Sequence, residues 1–455
     1  MDDTKRIISK SILTDTANAI RSKAGTSAPI TPSEFASQIT NLPSGGGGHD
    51  KELLQRTIST YIDTSKELTM LGANAFYSCS SLTTIDFPVC TLISNNTFAY
   101  CTRLTTADFP MCTTLGNGAF NYCTNLTTAS FPVCTSIGRN AFQNNARLTT
   151  LSFPVCTYIG ITAFQGCSSL TAVNFPTCRS IDASAFFNCT NLTTASFSSC
   201  VSIGISAFYM CSSLTTIDFP VCVLISGGAF AYCTKLTTVN FPVCTNINTS
   251  AFAWCSDLTT VNFPVCASIG SSAFNTCPKL ATASFPACTS IGNYAFAWCS
   301  NLTTASFPIC NYIGSHAFDS CNNLTTIYFP TCTSMGSGVF ASCSKLTTAD
   351  FPNCSNINNG AFTSCSRLTM VSFPVCTSIS AYAFDGCSRL ISLYLTGISS
   401  VPTLYNSYVF RNTPIAGSTS YTGGVYGSIY VPASLYQSFK TATAWSYFGS
   451  RFVSV

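Results

Sequence analysis

The chain has 455 residues, of which 8% are charged and 46% hydrophobic, and its net charge is +4. That is far below the roughly 25% charge of an ordinary soluble protein, yet too apolar for a disordered polymer, and the charge is too small and dispersed for a nucleic-acid partner. No apolar run reaches the roughly 18 residues of a membrane span, and Met1-Asp2-Asp3-Thr4-Lys5-Arg6 leads into no apolar signal-peptide core.

The N-terminal part differs from the rest: residues 1–67 hold 16 of the 36 charged residues, including all three glutamates. Ile12 to Lys23 reads as an amphipathic helix closed by Gly25. Thr31-Pro32-Ser33-Glu34 is a capping box with proline at the first helical position, and it predicts a second helix to about Leu42. Residues 1–43 are thus expected to be a helical tether module, followed by a flexible Gly-rich linker at 44–49. Asp50 to Arg56 reads as a short helix and Thr57 to Asp63 as a capping strand. Both fall in an N-terminal cap and first half repeat, residues 50–81, which also contains Ala75-Phe76-Tyr77-Ser78-Cys79.

From Leu82 the chain repeats every 22 residues. Phenylalanine recurs fourteen times, from Phe87 to Phe373, followed by proline in every copy except at Ser198. A period in the 20s signals a solenoid whose coils bury their apolar faces against each other. Eight positions per coil are held apolar, represented by Leu82, Ile85, Phe87, Cys90, Ile93, Thr97 (alanine in nearly every other copy), Phe98 and Cys101. Alternation at Leu82, Ile85 and Phe87 predicts a short strand, Thr84 to Phe87, stacked into a parallel sheet at about 4.8 Å per coil. The solenoid is expected over 82–389. A degenerate copy at Leu390 to Leu395 opens a C-terminal cap, 390–455, with a strand at Ser428–Pro432, a helix from Ala433 to Trp445 and a final apolar cover at Phe452-Val453.

All 28 cysteines sit on the repeat, fourteen after Phe-Pro-x and fourteen after Ala-Phe-x-x. A disulfide scaffold fits the count, but in-register cysteines on parallel strands suit the required dihedral poorly. A metal array lacks partners, since the only histidines are His49 and His316. The preferred reading is two ladders of buried free thiols, typified by Phe87-Pro-x-Cys90 and Phe98-x-x-Cys101. Asn145 in a cysteine slot fits a need for a small inward polar group.

The run Leu-x-x-Ile-x-Phe-x-x-Cys-x-x-Ile resembles the leucine-rich repeat signature. Ile291-Gly292-Asn293-Tyr294-Ala295-Phe296-Ala297-Trp298-Cys299 is similar to its BspA-like subclass, and the resemblance runs from about Leu71 to Leu395. The C-terminal segment also resembles the usual end of BspA-like proteins. The resemblance implies a leucine-rich repeat solenoid with a parallel β-sheet, used as a binding or adhesion surface. Leu13 to Gly25 with Ile30 to Phe35 resembles a module at the front of tail-associated proteins of phages and prophages of Gram-positive bacteria.

No catalytic elbow, phosphate loop or zinc helix is present, so neither catalytic residues nor a cofactor or metal are expected. Asp86 and Asp108 share an outward column and could share a cation, or form part of a solvated polar stripe. The threonine rows at Thr83 and Thr84 could bind ice or carbohydrate, or serve as strand formers with local hydroxyl bonds. The candidate ligand surface has two columns. A basic edge carries Arg103, Arg147, Lys235, Lys279 and Lys345, opposed by Asp257; an aromatic column carries Tyr232, Trp254 and Trp298. Each has a plain alternative, a solubilising edge and outer-wall packing respectively. The expected role is non-enzymatic attachment. A virion tail protein would bind a host-surface glycan or protein and attach to other tail proteins through residues 1–43. A cell-surface adhesin and a ligand-free structural fibre are the alternatives, and self-association into a homo-oligomer stays open.

Overall fold

The computed structural model describes residues 59–416, except 64, 65 and 67, and residues 426–455. The helical module at 1–43, the linker at 44–49 and the helix expected at Asp50–Arg56 lie outside the described residues. The chain divides into two units, Met1–Phe219 and Pro220–Val455. Both are built from the same coil.

In the first unit the coil beginning at Leu82 shows the plan. Its first side is a strand at Thr84–Asp86, with Ile85 pointing inward and the other two residues outward. Phe87 follows the strand and is fully buried. Equivalent strands pair in parallel with a shift of one repeat, as in Thr106↔Thr128 and Ala107↔Ala129. The strand expected over Thr57–Asp63 is present as Thr60–Ile62 and pairs with Thr84–Asp86. The second side is a two-residue strand, Leu92–Ile93, which pairs with Thr114–Leu115. The sequence reading anticipated one column of strands, and the structure has two. Two residues are too few to show a period, so this second column was invisible in the hydrophobic pattern.

The third side is neither strand nor helix. Between Asn95 and Cys101 alternate amides leave the coil: the N–H groups of Asn96, Phe98 and Tyr100 donate to the Asn117, Ala119 and Asn121 carbonyls at 2.7–2.8 Å. The amides of Ala99 and Cys101 instead close turns within the coil, onto Asn96 and Phe98. This alternation requires left-handed backbone twice per coil, at Asn96 (φ 53°) and Tyr100 (φ 63°), and the pattern recurs throughout. A second close approach explains the Ile-Gly pair. A Cβ on Gly138 would lie 2.5 Å from the Gly116 carbonyl carbon of the preceding coil.

Two phenylalanine columns fill the core. Phe87 stacks on Phe109 at 5.9 Å and Phe98 on Phe120 at 5.0 Å, while rings from the two columns meet at steep angles, as in Phe109–Phe120 at 62°. Stacked within a column and edge-on between columns, the rings match the quadrupole preference of aromatic pairs. Each buried ring contributes roughly 1.5–3 kcal/mol.

The second unit has two phenylalanine columns of the same kind, from Phe230 and Phe241 to Phe384. The copy opening at Leu390 is a coil with altered spacing: strands Ser392–Tyr394 and Thr403–Leu404, then a 3-10 turn at Ser407–Phe410. Ser428–Val431 extends the sheet by pairing with Ser392–Tyr394, and Phe452–Ser454 pairs onto Ser428–Val431 as its last strand. The single helix expected from Ala433 to Trp445 is instead three pieces. Ala433–Leu435 and Trp445–Arg451 are 3-10, and only Tyr436–Thr441 is α-helical. Ala442 turns extended and Ala444 left-handed (φ 68°), which swings Trp445 inward. There its indole N–H donates to the Pro402 carbonyl at 2.7 Å, and its ring packs on Phe439. Burying this aromatic closure outweighs continuing a short helix through Thr441-Ala442-Thr443-Ala444.

Candidate ligand-binding surface

Most of the polar repetition is absorbed by the fold. The Thr83 hydroxyl donates to the Ser59 carbonyl at 2.8 Å, and Thr127 to the Thr105 carbonyl at 3.0 Å; the same bond recurs at Thr259 and Thr369 in the second unit. A second row, at Thr91, Thr113 and Thr135, does the same. These hydroxyls secure carbonyls between coils, in agreement with the strand-former reading of the threonine rows.

The cysteines are likewise structural. All 28 lie among the described residues, buried and as free thiols. In the Cys90 ladder each thiol donates to the carbonyl two residues ahead, Leu92 for Cys90 at 3.4 Å. In the Cys101 ladder thiols donate to a phenylalanine carbonyl of the preceding coil, Phe76 for Cys101 at 3.1 Å and Phe98 for Cys123 at 3.0 Å. Asn145 takes over that bond, its amide donating to the Phe120 carbonyl at 3.0 Å. Burial pushes Cys90 up to about 11, Cys112 to about 12, and Cys101 well above its ordinary value. Such thiols stay protonated near neutrality and are poor nucleophiles and poor metal ligands.

The outward columns remain. Arg103, Arg147, Lys235, Lys279 and Lys345 are all exposed, the first two in the first unit and the rest in the second. Lys279 is engaged by Asp257 at 2.6 Å. An exposed pair of this kind is worth about 0–1 kcal/mol.

The aromatic column coincides with the second left-handed position of each coil. Tyr232 (φ 62°), Trp254 (φ 63°) and Trp298 (φ 60°) all occupy it, as do Tyr100 and Tyr122. Tyr232 and Trp254 are brought together, stacked at 5.6 Å with 4° between the rings. Trp298 is not brought into that stack, because Thr276 occupies the intervening coil. Both indoles are about half exposed, at 47% and 48%.

Two features escaped the sequence reading. The residue after Phe-Pro, usually valine, points outward: Met111, Val133 and Val155 in the first unit, and Val221, Val243 and Val265 in the second, form exposed apolar rows. Composition alone groups valine with the core, and only its phase one residue after proline marks it as outside. His316 is the other. Its ring stacks on Tyr294 at 4.9 Å, and its Nδ1 lies 3.0 Å from Asp319.

The family model described as BspA type leucine rich repeat region (6 copies) matches residues 51–155, 135–259, 223–347 and 289–416. A leucine-rich repeat protein from Bacteroides ovatus is a similar solved structure, at 22% identity over 66% of this chain and 91% of that one, with a TM-score of 0.49. A leucine rich cell surface protein from Faecalibacterium prausnitzii is 25% identical over 66% of this chain and 80% of the other, with a TM-score of 0.38. A leucine rich repeat protein of T. pallidum is 27% identical over 38% and 77%, with a TM-score of 0.30. No curated protein sequence matches the chain.

Proposed function

The chain belongs to the BspA-type leucine-rich repeat family, and on that premise we propose that it is a non-enzymatic recognition protein that binds a glycan or protein on a cell surface. The observation that carries this reading is the exposed aromatic column of the second unit. The coil's recurring needs are met internally: threonine hydroxyls on carbonyls, thiols on carbonyls, phenylalanines in the core. Half-exposed indoles at left-handed positions serve none of them. An exposed aromatic row with polar neighbours is the ordinary composition of a recognition surface.

The coarse site of action is a cell exterior, and an adhesin displayed on a bacterial cell is the form that the family membership favours. A second form, a phage or prophage tail protein that attaches to its particle through residues 1–43, rests on the stretch Leu13 to Gly25 with Ile30 to Phe35 alone. A ligand-free structural fibre is the competing class. Labelled full-length protein is expected to bind intact bacterial cells saturably and to be competed by unlabelled protein. Absence of saturable binding across a broad panel of cells would leave the structural fibre. Immunogold labelling separates the two forms, marking either a cell envelope or released particles.

A further inference from the structure

Trp254, Thr276 and Trp298 occupy the same position in three successive coils of the second unit, at φ 63°, 56° and 60°. Left-handed backbone costs an L-residue with a side chain roughly 1–2 kcal/mol. Elsewhere the column carries Asn144, Gly166, Asn188 and Gly386, residue types that meet this conformation with less strain, and also serines and Met210. Large rings placed at strained positions and left half in water need a cause other than stability.

Spacing supplies the cause. Where aromatic residues fill adjacent coils of this column the rings close on each other, at 5.0 Å for Tyr100–Tyr122 and 5.6 Å for Tyr232–Trp254, both nearly parallel. Thr276 interrupts the stack. A slot two coils high therefore separates Trp254 from Trp298, roughly 10 Å between ring centres at one strand spacing per coil. Trp254 is backed on its other side by Tyr232. The intervening coil brings polar groups, with the Thr276 hydroxyl donating to the Asn275 carboxamide oxygen at 2.8 Å. Three residues further along their coils, Lys279 and Asp257 form an ion pair.

We propose that this slot binds one pyranose ring of a glycan, sandwiched between Trp254 and Trp298. The inference rests on the recognition reading above and specifies its ligand. A planar aromatic side chain between two rings fills about 7 Å at two contacts of about 3.5 Å, leaving a void in a gap of about 10 Å. A puckered pyranose with axial hydrogens on both faces spans about 8–9 Å at the same contact distances and fits more closely. Its hydroxyls can also bond to the Thr276 hydroxyl and the Asn275 carboxamide, which already pair with each other, whereas the carbon face of an aromatic side chain cannot.

The test is a fluorescence titration of the full chain with methyl glycosides and disaccharides of glucose, galactose, rhamnose and N-acetylglucosamine. The chain has three tryptophans, and Trp445 is buried in the C-terminal cap, so a ligand-dependent change reports on Trp254 and Trp298. At least one sugar is expected to give a saturable change. Trp254→Ala and Trp298→Ala are each expected to weaken that binding at least tenfold, and Thr276→Trp, which obstructs the slot, to abolish it. Circular dichroism melts check that each variant folds, and the two alanine variants stand if the bulky one does not. Unchanged sugar binding in the alanine variants overturns the slot, and so does an absence of saturable binding by every sugar. Tighter binding of N-acetyltryptophanamide than of any sugar overturns the pyranose and assigns an aromatic peptide side chain. If Trp254→Ala and Trp298→Ala lose sugar binding yet bind intact cells like the unmodified chain, the slot is overturned as the receptor site while cell recognition stands. If the unmodified chain binds sugar in the slot but no cells, the slot stands and the recognition reading falls.

Discussion

Asn145 donates to the Phe120 carbonyl from the position at which Cys123, one coil earlier, donates to the Phe98 carbonyl at 3.0 Å. The slot therefore selects a small inward donor rather than sulfur chemistry. The exchange is imperfect, because the Asn145 Oδ1 is fully buried and has no hydrogen-bond partner. A thiol has no such second group to satisfy. Removing a buried unpaired acceptor recovers about 1–3 kcal/mol, so Asn145→Cys is expected to raise stability by that amount. Asn145→Leu leaves the Phe120 carbonyl without its side-chain donor and overfills the slot, and should lower stability. Urea unfolding of the two variants beside the parent chain checks both signs. An asparagine that outperforms cysteine here would mean that an unseen partner satisfies Oδ1.

The thiol ladders set an alkaline limit. Burial raises Cys90, Cys134, Cys244 and Cys310 to about 11, and Cys112, Cys156, Cys200 and Cys266 to about 12, from an ordinary value near 9. The folded pKa lies above the unfolded one, so the stability these protonated thiols support is complete below pH 9. It is lost as pH rises from 9 towards 11–12, where the unfolded chain has released protons that the folded chain still holds. Each thiol costs up to about 1.4 kcal/mol per pH unit in that window. These eight thiols acting together remove on the order of 10 kcal/mol by pH 10, comparable with the whole stability of an ordinary domain. Far-ultraviolet circular dichroism followed against pH is expected to show steep unfolding between about pH 9 and 11. A native spectrum persisting to pH 12 would contradict the assignment of these groups as buried thiols.

Free and buried thiols also make a stoichiometric prediction. Ellman titration in guanidinium under non-reducing conditions is expected to approach 28 thiols per chain, and the same titration on native protein to detect few, because attack requires a thiolate that burial suppresses. A denatured count far below 28 would restore the disulfide scaffold.

How much of this was legible in the sequence varies by side of the coil. Phe87 and Phe98 repeat without drift, so period, core and fold class could be read directly, and Asn145 disclosed the logic of its ladder by standing in it. The second strand column could not be read, since Leu92–Ile93 is too short to alternate. The left-handed ladder stayed hidden for a different reason. Its positions carry asparagine, glycine, serine, tyrosine and tryptophan in turn, so no glycine signature marks them. Inter-coil hydrogen bonds impose the conformation whatever the side chain, a tertiary override of local preference. Trp254 and Trp298 were legible as candidates from exposure-prone phase alone. Their separation of two coils, roughly 10 Å, follows from the 22-residue period, whereas their half exposure at strained backbone required the structure.

That strain separates stability from recognition in one substitution. Trp298 sits at φ 60° between Thr276 and Ser320 in its column, and it is half exposed, so little packing opposes the backbone cost. Asparagine is among the few non-glycine residues that visit this region readily, and the column already holds Asn144 and Asn188 there. Trp298→Asn is therefore expected to leave stability unchanged or raise it by about 1 kcal/mol, measured as the urea midpoint at constant slope. Trp254 has a counterweight, because its ring stacks on Tyr232 and that contact is worth about 0.5–1.5 kcal/mol. Trp254→Asn should consequently be neutral or slightly destabilising. A loss of more than about 2 kcal/mol at Trp298 would show that the indole supports the wall of the solenoid, and the functional explanation for its exposure would then be unnecessary.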